Sequence, residues 1–193
     1  MMKSLALGAL LGGLVAFIWS AVSWMVLPWH NSTMKSFINE DAVAQVLVEN
    51  VPTGGMYWMP GLPPDYESLS GEQKKAADAA MMEKMKTSPF VFGVVRRRVD
   101  DNMGRQMAYG LLFDILAALL ITMLVMKTGG MSYAGRVMFI VTAAIAVGVI
   151  AVVPNWVWWH FGTRYVLVTM ADIVIAWLLA GLVIAKVAAP KTA

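Results

Sequence analysis

The chain has 193 residues, of which 59% are hydrophobic and 14% are charged, and its formal net charge is +3. A soluble domain averages about 25% charged residues, and the missing charge here is concentrated in long uncharged runs, which excludes a dissolved monomeric domain. No cysteine is present, and this excludes disulfides, thiolate metal sites and cysteine nucleophiles.

The first apolar run predicts a membrane-spanning helix over residues 4–27. No charged residue occurs between Lys3 and Lys35, and about 20 apolar residues cross the hydrocarbon core of a bilayer. A secretory signal peptide is the alternative, because Lys3 precedes the run and Ala21-Val22-Ser23 resembles a cleavage site. The run continues to Leu27, beyond a normal signal core, and this favours the span.

Small residues recur every four positions along this first span, at Gly8, Gly12, Ala16 and Ser20. Such a ridge allows another helix to approach closely. We expect its partner to be another span of the same chain, and a span of another subunit is the alternative.

Residues 28–106 differ in kind and predict a small extramembrane α+β domain inserted between spans one and two. They hold ten of the twelve acidic residues of the chain. Asn39-Glu40-Asp41 indicates a capped helix, and residues 70–86 predict a second helix with basic residues at its end. Residues 54–60 and 89–99 predict two strands that can pair.

Three further apolar runs predict spans over residues 107–127, 137–153 and 164–186. The third is expected to end at Pro154, because proline commonly stops a helix. The predicted fold class is therefore an all-α transmembrane four-helix bundle with the small α+β domain between helices 1 and 2. Four spans place both termini on the same side of the membrane.

The distribution of positive charge favours cytoplasmic termini. Five basic residues would then lie on the inner face: Lys3, Lys127, Arg136, Lys186 and Lys191. Only Arg164 lies in the short outer loop. Arg96-Arg97-Arg98 in the insert counts against this orientation, but long inserts cross largely regardless of charge. We expect a multi-pass protein of the cell inner membrane with its insert outside.

Asp114 and Asp172 are the two carboxylates within the predicted spans and are candidate binding groups for a proton or cation. A carboxylate in hydrocarbon costs several kcal/mol unless it is paired, protonated or wetted. Each lies eight residues beyond the start of its span, near residue 106 or 164, which is about 12 Å deep. At equal depth the two carboxylates could meet. Alternatively, each accepts structural hydrogen bonds from nearby spans, with Trp19, Ser20, Ser23, Thr142 and Thr169 as candidate donors.

Arg164 and the two histidines complete the candidate polar residues. Arg164 lies on the same helix face as Asp172 and is expected to reach Asp114 or lipid headgroups. His30 and His160 follow the first and third spans, on the same side of the membrane, and could ligate copper or zinc. No dense metal motif accompanies them, so interfacial hydrogen bonding is the alternative, and no cofactor is expected.

Five of the eight tryptophans fall at the insert-side ends of the spans: Trp24, Trp29, Trp156, Trp158 and Trp159. This placement is typical of an aromatic belt at the membrane interface. The alternative is a ring-lined site for a lipid or quinone-like ligand.

Residues 169–175 resemble the aspartate-bearing motif of lipoprotein signal peptidases, which are four-span proteins that use two aspartates. Thr169 stands where that family has asparagine, and Val153-Pro154-Asn155 stands where its other aspartate is expected. The resemblance implies an intramembrane aspartyl hydrolase in which Asp114 replaces the missing acid.

The sequence as a whole predicts a non-enzymatic subunit or accessory factor for the assembly of a larger membrane complex. It has surfaces for binding but no nucleotide loop or dense metal motif. The expected partners are the lipid bilayer and other membrane subunits or a second copy, and nucleic acid is not expected. The first alternative is a small transporter or sensor that binds a proton, cation or amine at Asp114 and Asp172. An intramembrane aspartyl hydrolase is the second.

Overall fold

The computed structural model describes residues 2–99 and 102–188 and is mostly helical. These residues form α1 (Met2–Met25), α2 (Glu40–Asn50), β1 (Gly55–Met59), α3 (Gly71–Thr87), β2 (Val91–Val95), α4 (Met103–Lys127), α5 (Tyr133–Trp159) and α6 (Thr163–Val187). Four of the helices, α1, α4, α5 and α6, are long and apolar enough to cross a membrane, as expected of a multi-pass membrane protein. The chain divides into a helical unit, residues 2–35 with 102–188, and an insert unit, residues 36–99.

The helical unit is built on α1 and α6. Helix α1 packs extensively against α4 and α6, and α5 packs mainly on α6. The small residues of α1 permit these contacts, since Thr122 of α4 lies against Gly8 and Ile184 of α6 lies against Gly12. The ridge formed by Gly8, Gly12 and Ala16 is buried, so it packs against spans of the same chain.

Helices α1 and α4 approach closely at Gly13. A Cβ atom at Gly13 would lie 2.5 Å from the Cα atom of Ile115 in α4. The core is made of small and branched side chains: Ala16, Ala118, Val125, Ile140, Ala180 and Ile184. Because lipid tails are as apolar as this core, close van der Waals packing is what stabilises such helix contacts in a membrane.

A buried arginine fixes the end of the bundle where α5 begins and α6 ends. Arg136 donates from Nε to the carbonyl of Ala185 and from Nη1 to the carbonyl of Met131, both at 2.9 Å. The Tyr133 hydroxyl donates to the carbonyl of Leu182 at 3.0 Å. A positive charge is favoured at a helix C-terminus, where carbonyls lack helical partners. The sequence counted Arg136 only as an inner-face charge, so this bonding was not predicted.

The expectation that the third span ends at Pro154 is wrong, because α5 continues through it to Trp159. Proline removes one backbone donor, but membrane helices tolerate this where other polar groups satisfy the freed carbonyls. The carbonyl that loses its helical donor is that of Ile150, four residues before Pro154, and the Asn155 side chain donates to the neighbouring carbonyl of Ala151 at 3.1 Å. The helix ends instead at Trp159, and the next residue, His160, adopts a left-handed conformation with φ of 55°.

The insert unit contains the predicted secondary structure elements. Asn39 caps α2 by accepting from the backbone of Ala42 at 3.0 Å. Ser70 and Gln73 form a reciprocal capping box at the start of α3. Strands β1 and β2 pair antiparallel, from Gly55 opposite Val95 to Met59 opposite Val91. A hydrogen bond from the Tyr66 hydroxyl to Asp78 raises the pKa of that phenol.

The insert unit has almost no core. Among its described residues, 36–99, only Val51 and Pro60 are buried. Neither α2 nor α3 contains a buried residue. Local signals therefore define its helices and strands, while the apolar side chains of these elements stay on the surface.

Substitution of Gly13 tests the close helix contact. Gly13→Ala should lower the free energy of unfolding in detergent by about 1–3 kcal/mol, since the new Cβ must displace the backbone of α4. Gly110→Ala is the matched control, because its Cβ would meet the Phe17 ring at an ordinary 3.7 Å. Thermal unfolding of the purified proteins measures both, and equal stability of the two variants would contradict the packing described.

Candidate functional site

The Asp172 carboxylate of α6 is the centre of a polar cluster with residues from the first part of the chain. Trp19 Nε1 of α1 donates to Asp172 Oδ1 at 2.7 Å. His30 Nε2, beyond the end of α1, lies 3.3 Å from Asp172 Oδ2. Asp172 thus joins α6 both to α1 and to the segment that follows α1, and Trp19 is among the donors that the sequence predicted.

His30 is enclosed by side chains of α1 and of its own turn. It is 2% exposed, and its Nε2 lies 3.0 Å from the hydroxyl oxygen of Ser23. The Trp24 ring stacks on the imidazole, with centroids 3.8 Å apart and an angle of 7° between planes. Trp29 meets the imidazole edge-on at 5.5 Å, and its Nε1 donates to Ser23 Oγ at 3.0 Å.

A short turn directs His30 back onto the helices. Helix α1 ends at Met25, and residues 31–33 form one turn of 3₁₀ helix. The backbone N–H of Ser32 donates to Pro28 at 3.1 Å, and the Thr33 hydroxyl donates to the His30 carbonyl at 2.7 Å. These bonds reverse the chain, and residues 28–35, which the sequence assigned to the insert, belong to the helical unit as a result.

The geometry of His30 is that of a structural hydrogen-bond centre. In a serine–histidine–aspartate triad, the serine and the carboxylate contact opposite nitrogens of the imidazole. Here Ser23 and Asp172 both approach Nε2, so no proton relay passes through the ring. Across the described residues, every buried side-chain nitrogen and oxygen has a hydrogen-bond partner, and the cluster is satisfied as it stands.

The two histidines have different environments. His30 is buried and its Nε2 is engaged by Ser23 and Asp172, whereas His160 is exposed at the end of α5. Among residues 2–99 and 102–188, no group of three or more His, Asp or Glu side chains is placed to hold a metal ion. Binding of copper or zinc by His30 and His160 stays a prediction. Among the described residues, no such three-residue group supplies a third ligand.

Asp114 and Asp172 have different neighbours. Ile115, next to Asp114, lies against Gly13 of α1, whereas Asp172 binds Trp19. Gly13 and Trp19 are about 9 Å apart along a helix axis, and this offset argues against the equal depth expected from the sequence. No hydrogen bond or ion pair joins the two carboxylates within the described ranges.

The other predicted polar residues lie outside the cluster. Arg164 is exposed and forms no ion pair with either aspartate among the residues described. Ser20 and Thr169 are half-buried, and the bonds to Asp172 come from Trp19 and His30 instead. Ser20 and Thr169 as candidate polar groups beside an aspartate or a bound ion, and Arg164 as a partner of Asp114 or lipid headgroups, remain predictions.

The sequence predicted Trp19 and Ser23 as candidate donors to the aspartates of the spans but did not connect His30 with them. Trp24 and Trp29, which the sequence predicts in an aromatic belt, also pack on the His30 ring, and the belt itself stays a prediction. The one available signal was a polar Ser23 inside an apolar run, seven residues before a histidine. No family model, curated protein or solved structure matches this chain.

A double-mutant cycle of His30→Gln and Asp172→Asn tests the central contact. Each single change leaves a buried polar partner poorly paired, and the coupling free energy should be about 1 kcal/mol or more. The exposed pair of Lys86 and Glu83, with nitrogen and oxygen 2.8 Å apart, is the control and should show coupling near zero. Unfolding in detergent measures both cycles, and additive effects at His30 and Asp172 would refute the contact.

Proposed function

We propose that this chain is a non-enzymatic subunit or accessory factor of a larger membrane complex, and that its insert unit binds a partner protein. The observation that carries the proposal is the near absence of a core in the insert, where only Val51 and Pro60 are buried among the described residues. Apolar side chains that a unit cannot bury on its own mark a surface for association.

Helix α2 is the best candidate for the contact surface. Its residues Val46 and Val48 are each 57% exposed, and Leu47 between them is also exposed. Two further apolar residues just before α2, Phe37 and Ile38, are exposed as well. A helix whose apolar residues face solvent on several sides gains stability when another protein covers it.

The environment of Asp172 also supports a structural role over transport or catalysis. A wetted pair of carboxylates would favour a proton or cation site, whereas acids bonded to neighbouring helices favour helix locking. Asp172 is bonded to Trp19 and His30. This arrangement favours the accessory role over a small transporter, sensor or intramembrane hydrolase.

For the orientation, we propose an inner-membrane protein with both termini in the cytoplasm and the insert outside. The support is the balance of positive residues: Lys3, Lys127, Arg136 and Lys186 would lie on the cytoplasmic side. Only Arg164 would lie in the short loop opposite.

Substitutions in α2 test the assembly role. Val46→Gln with Val48→Gln should reduce severalfold the recovery of a stoichiometric partner in mild-detergent purification, because the apolar contact is lost. Ala79→Gln with Ala80→Gln, at exposed positions of α3, is the matched control and should retain the partner. Mass spectrometry quantifies recovery. Unchanged recovery with the α2 variant, or no stoichiometric partner for the parent chain, would count against the proposal.

A reporter fusion tests the orientation. Green fluorescent protein fused after Ala193 should fluoresce, since this reporter folds in the cytoplasm, while alkaline phosphatase at the same position should be inactive. The two fusions serve as controls for each other. An active phosphatase fusion combined with a non-fluorescent green fluorescent protein fusion would show that the termini lie outside, opposite to the proposed orientation.

A further inference from the structure

The two strands of the insert form a ribbon with apolar side chains on both faces. Tyr57, Met59, Val91 and Val95 share one face, where Met59 is 49% and Val91 is 46% exposed. The other face is more exposed. Met56 lies opposite Val94, and Trp58 lies opposite Phe92. Side chains alternate between the two faces of a strand, so these four residues share one face, called the ribbon face below. Met56 is 66% exposed and Val94 is 63% exposed. Exposed apolar surface of this kind marks a site of interaction.

Arginines lie at one end of the same ribbon. Gly55 and Val95 form the pair at that end, and an open cavity of about 450 Å³ there is lined by Gly54, Arg96, Arg97 and Arg98. Guanidinium groups bind phosphate through paired N–H donors. The ribbon therefore joins an apolar face to arginines whose chemistry suits phosphate.

The chain connects this ribbon closely to a candidate membrane span. Residues 96–102 separate β2 from α4, and seven residues extend over about 25 Å at most. Because α4 is long and apolar enough to cross a bilayer, a lipid surface is within reach of the ribbon.

We propose that the ribbon face binds the surface of the bilayer, with Arg96 and Arg98 on the phosphates of anionic lipids. A membrane surface matches both parts of the ribbon. Tryptophan and apolar side chains enter the boundary between headgroups and acyl chains, and arginines are attracted to anionic headgroups. A partner protein would cover the apolar face but would not account for the arginines at its end. This inference does not rest on the proposed function, which uses α2.

Spin labelling tests the proposal directly, because the chain has no native cysteine. Val94→Cys places a label on the ribbon face, and Val91→Cys places a matched label on the opposite face of the same strand. The full chain is reconstituted in vesicles of phosphatidylcholine with phosphatidylglycerol. The label at position 94 should collide severalfold more with dissolved oxygen than with a water-soluble nickel chelate. The label at position 91 should show the reverse preference.

A second part of the experiment tests the contribution of the arginines to membrane binding. Arg96→Gln with Arg98→Gln, or vesicles of phosphatidylcholine alone, should lower the oxygen-to-nickel ratio at position 94 severalfold. Arg97 is kept, since its guanidinium reaches the carbonyls of Val48 and Val51. If Val94→Cys does not fold, Met56→Cys on the ribbon face, with Met59→Cys as its control, takes its place.

Two outcomes would overturn the proposal. A label at position 94 that is as open to the nickel chelate as the label at position 91 means that the face stays in water. A label at position 94 that is immobilised and shielded from both reagents means that protein, from a partner or a second copy, covers the face.

Discussion

The Asp172 carboxylate is the constraint on which one end of the helical unit depends. An ionisable group among apolar helices is costly unless its neighbours satisfy it. Trp19 and His30 do so here, at 2.7 and 3.3 Å. Because His30 lies beyond the end of α1, the chain must turn back after Pro28 to reach α6. The packing of Trp24 and Trp29 around the imidazole follows from that turn.

Different interactions hold the other parts of the bundle. Along the middle of α1, glycines at positions 8, 12 and 13 allow α4 and α6 to approach at van der Waals distance. At the end of α6, Arg136 binds the backbone carbonyls of Ala185 and Met131. In a lipid environment, apolar burial alone does little to associate helices. Close packing and hydrogen bonds at both ends therefore determine which helices become neighbours.

The insert unit is specified by local interactions rather than by packing between helices. Caps at Asn39 and Ser70 and the pairing of β1 with β2 specify its elements locally. Yet only Val51 and Pro60 are buried among its described residues, and a unit of this size gains little stability without a core. We propose that its apolar surfaces contact other molecules. The chemistry of α2 fits a protein partner, and that of the ribbon fits a lipid surface.

The sequence by itself determined the four long apolar helices and the helices and strands of the insert, because length without charge, capping residues and β-rich runs act locally. The predicted helix end at Pro154 was wrong. Proline removes only one backbone N–H donor, and the helix continues where the following residues keep their helical hydrogen bonds. Only the tertiary structure decided that Asp172 pairs with His30 rather than with Asp114. That choice depends on which helices pack side by side and on a turn that brings residue 30 to α6, and neither is encoded in the spacing of residues along one helix.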